Sequence, residues 1–271
     1  MRAYFAVFSV RFRTLLQYRA AAWAGFATQT FWGLIRSMIF LGFYHAVSGP
    51  QPLDLRQVIT YVWLGQALFA LLPWSLDKDV AALIRTGNIA YELVRPVNLY
   101  KLWFFRALAM RTAPVLLRAT PMVALAAVIF PLLGAKTLSL APPAGAAAAA
   151  AFALSLLASL LLSCVITVFM SISLIYTISG EGVANLMPAA IWSLSGIVIP
   201  LPFLPDWMQP ILKLLPFRGL MDVPFQIYIG KIQFTQAAIE IFIQLVWASA
   251  LILIGYWLFA KGLKRVAVQG G

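Results

Sequence analysis

A run of 44 consecutive residues, 137–180, contains no Asp, Glu, Lys or Arg. Of all 271 residues, 63% are hydrophobic and only 10% are charged, whereas about 25% of an ordinary soluble domain is charged. A soluble domain could not cover its surface with so few polar groups, and a disordered chain would be far more polar. Together with a mean hydropathy of +0.92, this predicts an all-α polytopic membrane protein with a single transmembrane domain, 1–271.

Six transmembrane helices are predicted, because six apolar stretches are long enough to cross a hydrocarbon core of about 30 Å. Their approximate ranges are 22–47, 57–76, 112–133, a stretch within 144–179, 183–202 and 241–260. The charge-free run could hold two spans, but no turn signal interrupts residues 146–178. A seventh span would also put the basic C-terminal residues on the side opposite the N-terminus.

Residues 1–20 precede the first span and are predicted to form a helix in the membrane interface. A frayed basic tail is the alternative. Arginines recur throughout the segment, so we do not expect a cleavable signal peptide. The proposed apolar face consists of Phe5, Phe8, Phe12, Leu15 and Leu16.

The distribution of basic residues predicts that both termini are cytoplasmic. Of the 20 Lys and Arg residues, 14 lie before the first span, in 77–118, or after the sixth span, and five lie on the other side. Cytoplasmic loops are enriched in these residues. This bias also accounts for the formal charge of +12, so nucleic-acid binding is not expected.

The cytoplasmic segment 77–111 is longer and more apolar than the usual 2–8-residue connection of a helix bundle. A short helix between two breaks suits docking onto a soluble partner, and an ordinary solvated loop is the alternative. We expect four features in order: a continuation of the second span over Asp77–Ile84, a break at Gly87 and Asn88, a short helix over Ile89–Val94 that ends before Pro96, and a further helix over Leu99–Met110.

The external segment 203–239 is too apolar for a solvated loop and is interrupted by four prolines. It is predicted to form two short re-entrant or interfacial helices, split near Pro216–Gly219. Protein or water must satisfy the polar backbone of such a segment.

Arg36 lies inside the first span, where a charge costs about 2.5–3.5 kcal/mol on insertion scales. It shares a helical face with Gln29, Trp32 and Gly33 at spacings of three and four. We expect this face to point to the subunit interface and the translocation path. Alternatively, Arg36 reaches the outer headgroups or bonds carbonyl groups inside the bundle. Glu240 is one possible partner.

Small polar residues recur every fourth position along the fourth span, at Ser155, Ser159, Ser163, Thr167 and Ser171. Small side chains let helix backbones approach closely. Helix packing is therefore favoured over a polar translocation stripe.

The sequence lacks the signatures of catalysis and of cofactor binding. No G-x-x-x-x-G-K-[ST] phosphate loop is present, so the chain is not expected to hydrolyse ATP. With one cysteine, Cys164, and one histidine, His45, a metal site lacks ligands, and Asp77 with Asp79 alone does not make a two-metal site. No cofactor is expected, and transport becomes the default function.

Two stretches resemble the membrane (permease) subunit of type-2 ABC transporters, and in particular a bacterial subfamily of ABC permease components. The first is IRTGNIAYELVRPVNLYKLW, residues 84–103, and the second is SGIVIPLPFLPDWMQPILKLLPFRGLMDVPFQIYIGKI, residues 195–232. The order of the predicted elements resembles that family over nearly the whole chain. Many members carry a Glu-Arg pair where this chain has Asp77-Lys78-Asp79, so no role follows for that pair.

The resemblance implies a half-transporter in the bacterial cytoplasmic (inner) membrane. Two permeases, identical or homologous, would bind two ABC ATPase subunits, and these subunits would bind ATP and Mg²⁺. Such families mostly export lipids, glycans, peptides or drugs. The coupling residues would be Gly87, Asn88, Ile89, Tyr91, Glu92, Arg95 and Pro96.

Two other function classes stay open from the sequence. One is an integral-membrane scaffold or enzyme subunit without transport of its own. The other is a small secondary transporter, which would normally show inverted repeats and charges near the midplane. No internal repeat relates residues 1–135 to 136–271.

Overall fold

The computed structural model of the protein describes residues 1–177 and 181–264. Every regular element in these ranges is helical, which confirms the predicted all-α class. The described ranges contain eleven α-helices: α1 (Arg2–Leu16), α2 (Arg19–Ala46), α3 (Leu55–Ala67), α4 (Lys78–Arg85), α5 (Ile89–Leu93), α6 (Leu99–Leu132, with a π-helical turn at Leu125–Ile129), α7 (Ala146–Ser173), α8 (Glu181–Leu194), α9 (Gln209–Leu214), α10 (Asp222–Tyr228) and α11 (Phe234–Leu263).

Three helices in the described residues, α6, α7 and α11, are long and apolar enough to cross a membrane. They contain the predicted third, fourth and sixth spans. The helix predicted for 99–110 and the third span form one continuous element, α6, in which Pro114 and Pro121 are accommodated. The other three spans stay predictions.

The core is built around α7 and α3. In the most apolar 18-residue stretch of α7, 56% is buried inside the protein, whereas the corresponding share is 17% in α6 and in α11. Trp63 of α3, Leu162 of α7 and Phe225 of α10 are buried in one apolar cluster. The outward faces of α6 and α11 remain apolar and exposed, as expected for helices that contact lipid.

The predicted continuation of the second span over Asp77–Ile84 is wrong. Helix α3 ends at Ala67, a 3₁₀ turn follows at Phe69–Leu71, and α4 begins only at Lys78. Leu72 has extended backbone angles because Pro73, the next residue, disfavours the α conformation. The second span therefore cannot be one helix over 57–76.

The fifth predicted span, 183–202, is helical only as far as Leu194. Gly196 then adopts a φ of +84°, a left-handed conformation that glycine adopts without steric cost. A 3₁₀ turn at Leu201–Phe203 follows Pro200. The break lies inside the predicted span, so α8 alone is about 21 Å long at 1.5 Å per residue.

The external segment contains two short helices, α9 and α10, separated by a 3₁₀ turn at Pro216–Leu220. This agrees with the predicted split near Pro216–Gly219. All residues of α10 are buried, whereas Ile211 and Leu214 of α9 are exposed. Helix α10 therefore lies wholly in the protein core, whereas α9 contributes Leu212 to it. The depth of both helices in the membrane stays a prediction.

Helix α1 lies along the N-terminal part of α6. The rings of Tyr4 and Phe105 stack with centroids 5.8 Å apart, and the Tyr4 hydroxyl accepts a 2.9 Å hydrogen bond from the backbone N–H of Asn98. No residue of α1 is buried. The interfacial position of residues 1–20 remains a prediction.

Candidate functional site

The sequence-predicted coupling residues form a short helix between two breaks. Gly87 turns the chain with a φ of +74°, α5 follows at Ile89–Leu93, and α6 begins at Leu99. Asn98 caps α6 by accepting a 3.0 Å hydrogen bond from the N–H of Lys101. The local geometry agrees with the sequence prediction, although the helix ends one residue earlier.

The two faces of α5 differ in exposure. Ile89 is buried under the helix, while Tyr91 is 73% exposed and Val94, just after it, is 83% exposed. Glu92 and Arg95 pair with each other at 3.0 Å. The free surface of α5 is thus mainly apolar and aromatic, and the two charged residues expected to contact a partner are already partnered to each other. Val94 was not among the predicted coupling residues.

A cluster of four charges joins α1, α4 and α6 beside this helix. Arg106 binds Asp77 and Asp79 at 2.8 Å each. Arg11 reaches the same two carboxylates, at 3.1 Å and 2.5 Å. Asp77 also caps α4 through the N–H of Asp79. The four-charge cluster fixes the start of α4 against the two helices on either side of it.

Hydrogen bonding from Arg11 lowers the pKa of Asp79 below that of an ordinary Asp, and partial burial of the carboxylate opposes this shift. The Arg106 guanidinium adds to the lowering. Asp79 therefore stays ionised wherever the cluster is intact. No local sequence pattern indicates this cluster, because Arg11, Asp79 and Arg106 are far apart along the chain.

Arg36 links α2 to the break that follows α8. Its guanidinium donates to the carbonyl oxygens of Ile197 and Val198, at 2.5 Å and 3.2 Å. This is the alternative in which Arg36 bonds carbonyl groups inside the bundle. The suggested pairing with Glu240 is wrong, because Glu240 binds Arg218 instead.

The predicted translocation face does not lie in one environment. Gln29 is buried inside the bundle, and Gly33 packs against Trp63 of α3. Trp32, in contrast, is 53% exposed. In this chain Gln29 therefore faces the interior and Trp32 the outside, and the role of this face in translocation stays a prediction.

A buried polar network connects the external segment to the core. Asp222 is 0% exposed and accepts hydrogen bonds from Tyr61 at 2.9 Å, from Arg218 at 3.1 Å and from Gln226 at 2.5 Å. Arg218 also binds Glu240 of α11, at 2.8 Å. Tertiary contacts alone bring these residues together, so no local pattern in the sequence indicates them.

The small polar residues of α7 face the protein interior, which confirms the packing interpretation. Ser159 donates to the carbonyl of Gly219 at 2.7 Å, and Ser163 donates to that of Leu71. Arg111 of α6, buried beside them, donates to Thr167 at 3.0 Å. The same guanidinium donates to the carbonyls of Leu72 and Ser75, at 2.8 Å and 2.7 Å, and so satisfies the break after α3.

No group of three or more His, Cys, Asp or Glu side chains that could hold a metal ion occurs in residues 1–177 and 181–264. No curated protein and no solved structure matches the chain. The model of the family described as "ABC-2 family transporter protein" matches residues 30–270. That range includes α3 to α11 and most of α2, and the three long apolar helices fit a multi-pass membrane protein. The chain therefore belongs to the ABC-2 transporter family.

Proposed function

We propose that the chain is the permease subunit of an ATP-driven exporter in the cytoplasmic (inner) membrane of a bacterium. In this proposal it pairs with a second permease, identical or homologous, and with two ATPase subunits that bind ATP and Mg²⁺. The family membership supports a transport role beside an ATPase. The proposed substrate is amphipathic or hydrophobic: a lipid, glycan, peptide or drug.

The proposed topology has six spans, cytoplasmic termini and an external segment that covers the translocation path. Two of its spans, at α3 and α8, contain non-helical breaks, and a membrane tolerates these only where the protein satisfies the backbone. Arg111 binds the carbonyls of the break after α3. Arg36 binds those of the break after α8. The backbone acceptors at both breaks are therefore satisfied inside the protein, as a membrane span that is interrupted at these points requires.

The proposed coupling to the ATPase rests on one observation, the exposed apolar surface of α5. Tyr91 and Val94 lie on a helix that is held from beneath by Ile89 and braced by the four-charge cluster beside it. Tyrosine is among the residues most enriched at the energetic anchors of protein interfaces, which favours Tyr91 as an anchor. ATP-driven motion of the ATPase would reach the membrane helices through α4 and α6.

Site-specific photo-crosslinking in bacterial membranes tests this coupling. A crosslinker replaces Val94 in one variant and Leu133, exposed just beyond the other end of α6, in the matched control. We expect Val94 adducts to contain a protein with a phosphate loop and Leu133 adducts to lack it. The reverse pattern, or adducts of neither position with such a protein, would refute the coupling surface.

A pair of glycine substitutions tests whether the surface transmits the ATPase cycle. Gly87 and Gly49 both have positive φ, and a Cβ on either would meet open space, so Gly87→Trp and Gly49→Trp both strain the local backbone without a packing clash at Cβ. We expect both proteins to insert. Only Gly87→Trp should lose the co-purified ATPase or its permease-dependent ATP hydrolysis. Equal activity of both variants would favour a scaffold that is not driven through α5.

A further inference from the structure

A cavity of about 600 Å³ opens between α1, the first turn of α2, the start of α4 and α6. Three basic side chains line it, Arg11, Lys78 and Arg118, together with the carboxylate of Asp79. The rest of the lining is mainly apolar. It includes Leu15, Ala22, Pro114 and Leu117.

The charges around the cavity do not balance. Arg11 and Arg106 neutralise Asp77 and Asp79 within the four-charge cluster. Neither Lys78 nor Arg118 takes part in any ion pair among the described residues. Two positive charges are therefore left over where the cavity opens, which favours an anion.

The guanidinium groups present donors that lack acceptors. The Nε atoms of Arg11 and Arg118 are buried without a hydrogen-bond partner. Arg118 makes only a 3.5 Å contact with the carbonyl of Ala21. It lies against Gly25 of α2, where an added Cβ would be 2.5 Å from the guanidinium carbon. The missing side chain of Gly25 thus leaves room for the Arg118 head group in this position.

The cavity lies at the depth of the lipid phosphates in the proposed topology. Ala22 marks the start of the first span, and Pro114 and Arg118 lie in the first two turns of the third, both on the cytoplasmic side. A lipid here would place its phosphate near Arg118 and Lys78 and its glycerol and acyl carbons near Leu15 and Leu117. Arg and Lys are the usual protein partners of phosphate groups.

We infer that this cavity binds the phosphodiester headgroup of an anionic phospholipid from the cytoplasmic leaflet. The inference rests on the proposed topology but not on the coupling role of α5. Two unpaired cations distinguish an anionic headgroup from a zwitterionic one, because the ammonium group of a zwitterionic lipid would meet like charges. The apolar lining distinguishes a lipid from free phosphate.

Native mass spectrometry of the purified protein measures the lipid that stays bound. The protein is equilibrated with equal amounts of phosphatidylglycerol and phosphatidylcholine, and the retained lipid is counted for wild type, Arg118→Gln, Lys78→Gln and Gly25→Ala. Arg13→Gln is the matched control, because Arg13 is exposed on α1 and does not line the cavity. Glycerol 3-phosphate and inorganic phosphate are added in separate arms as competitors.

We expect wild type to prefer phosphatidylglycerol and Arg118→Gln to retain about tenfold less of it, the effect of one lost charge-assisted hydrogen bond. Lys78→Gln and Gly25→Ala should also retain less, and Arg13→Gln should match wild type. Equal retention of both lipids, or an equal loss in Arg13→Gln, would overturn the site. Full displacement of the lipid by inorganic phosphate would overturn the assignment to a lipid.

A separate measurement tests the leaflet. A Tyr18→Cys variant, at the exposed junction of α1 and α2, should react with an impermeant thiol reagent only from the cytoplasmic side. Reaction from the outside alone would overturn both the assignment to the cytoplasmic leaflet and the proposed topology. The lipid preference of Arg118→Gln, in contrast, tests the cavity itself. Neither result depends on whether α5 binds an ATPase.

Discussion

Tyr61 in α3 donates a 2.9 Å hydrogen bond to Asp222 in α10, although 161 residues separate them in the chain. Asp222 is fully buried and also accepts from Arg218. Arg218 in turn binds Glu240 of α11. This buried network joins three helices, and the single positive charge of Arg218 is shared between two carboxylates.

Asp222→Ala leaves the buried donors of Tyr61, Arg218 and Gln226 without their shared acceptor. Each unsatisfied buried donor costs about 1–3 kcal/mol, so the protein should lose at least about 3 kcal/mol of stability. Tyr61→Phe removes one neutral donor to the same carboxylate and should cost about 1 kcal/mol. Thermal unfolding in detergent measures both. Losses of similar size for the two variants would show that the ion pair does not stabilise α10.

The elements that depend on a few neighbouring residues can be predicted from the sequence. Gly87 and Pro96 bracket α5 because a positive φ and a proline each interrupt a helix within one or two residues. The turn at Pro216–Leu220 between α9 and α10 was predicted for the same reason. Pro73 carries an equally local signal, but the prediction of the second span rests on its charge-free apolar run alone.

The contacts that complete the candidate sites could not be predicted from one sequence. Arg36 binds carbonyl groups about 160 residues away. Because every residue has a backbone carbonyl, the residue type does not indicate which ones accept these hydrogen bonds. Charge alone suggests Glu240 as a partner of Arg36, but Glu240 binds Arg218 in the fold. The four-charge cluster depends on how α1 packs along α6, and α1 buries no residue that would reveal this packing.

The four-charge cluster should make the docking of α1 sensitive only to strong acid. An Asp side chain in an unfolded chain has a pKa of about 3.9, and the pKa of Asp79 in the fold is lower because Arg11 donates to it. A lowered pKa means that the ion pairs stabilise docking above about pH 4. This stabilisation is lost as the pH falls through the lowered pKa.

Spin labels on Val10 of α1 and Thr86 after α4, both exposed, report this docking as an inter-label distance. We expect one narrow distribution from about pH 8 to about pH 5 and a broader one below about pH 4. Asp79→Asn should already broaden the distribution at neutral pH. Broadening of the wild type between pH 8 and pH 5 would point to a different titrating group.

Arg36→Leu should loosen the break after α8. The substitution leaves the carbonyls of Ile197 and Val198 without their donor, and each buried unsatisfied group costs about 1–3 kcal/mol. Hydrogen exchange of the amides in 195–199 should accelerate, and exchange in α9 should not change. Arg36→Lys, which keeps the charge but not the two-pronged donor, should give an intermediate rate.

A transport assay distinguishes a structural role of Arg36 from a role in the translocation path. If Arg36 only holds the break, Arg36→Lys should export as wild type once folded. If Arg36→Leu shows normal exchange in 195–199 and normal transport, neither role holds. ATP hydrolysis by the complex serves as the control for assembly in each variant.

Substitution by alanine at two glycines of α2 should change the stability of the protein in opposite directions. Gly42 has open space around it, whereas a Cβ on Gly33 would lie 2.6 Å from the ring of Trp63. Trp63 is fully buried, so its ring cannot move aside.

Gly42→Ala should stabilise the helix by up to about 1 kcal/mol through helix propensity. Gly33→Ala should cost about 1–3 kcal/mol through overpacking, so its unfolding temperature in detergent should fall below wild type while that of Gly42→Ala does not. A Gly33→Ala protein as stable as Gly42→Ala would mean that α2 and α3 do not pack closely at this position.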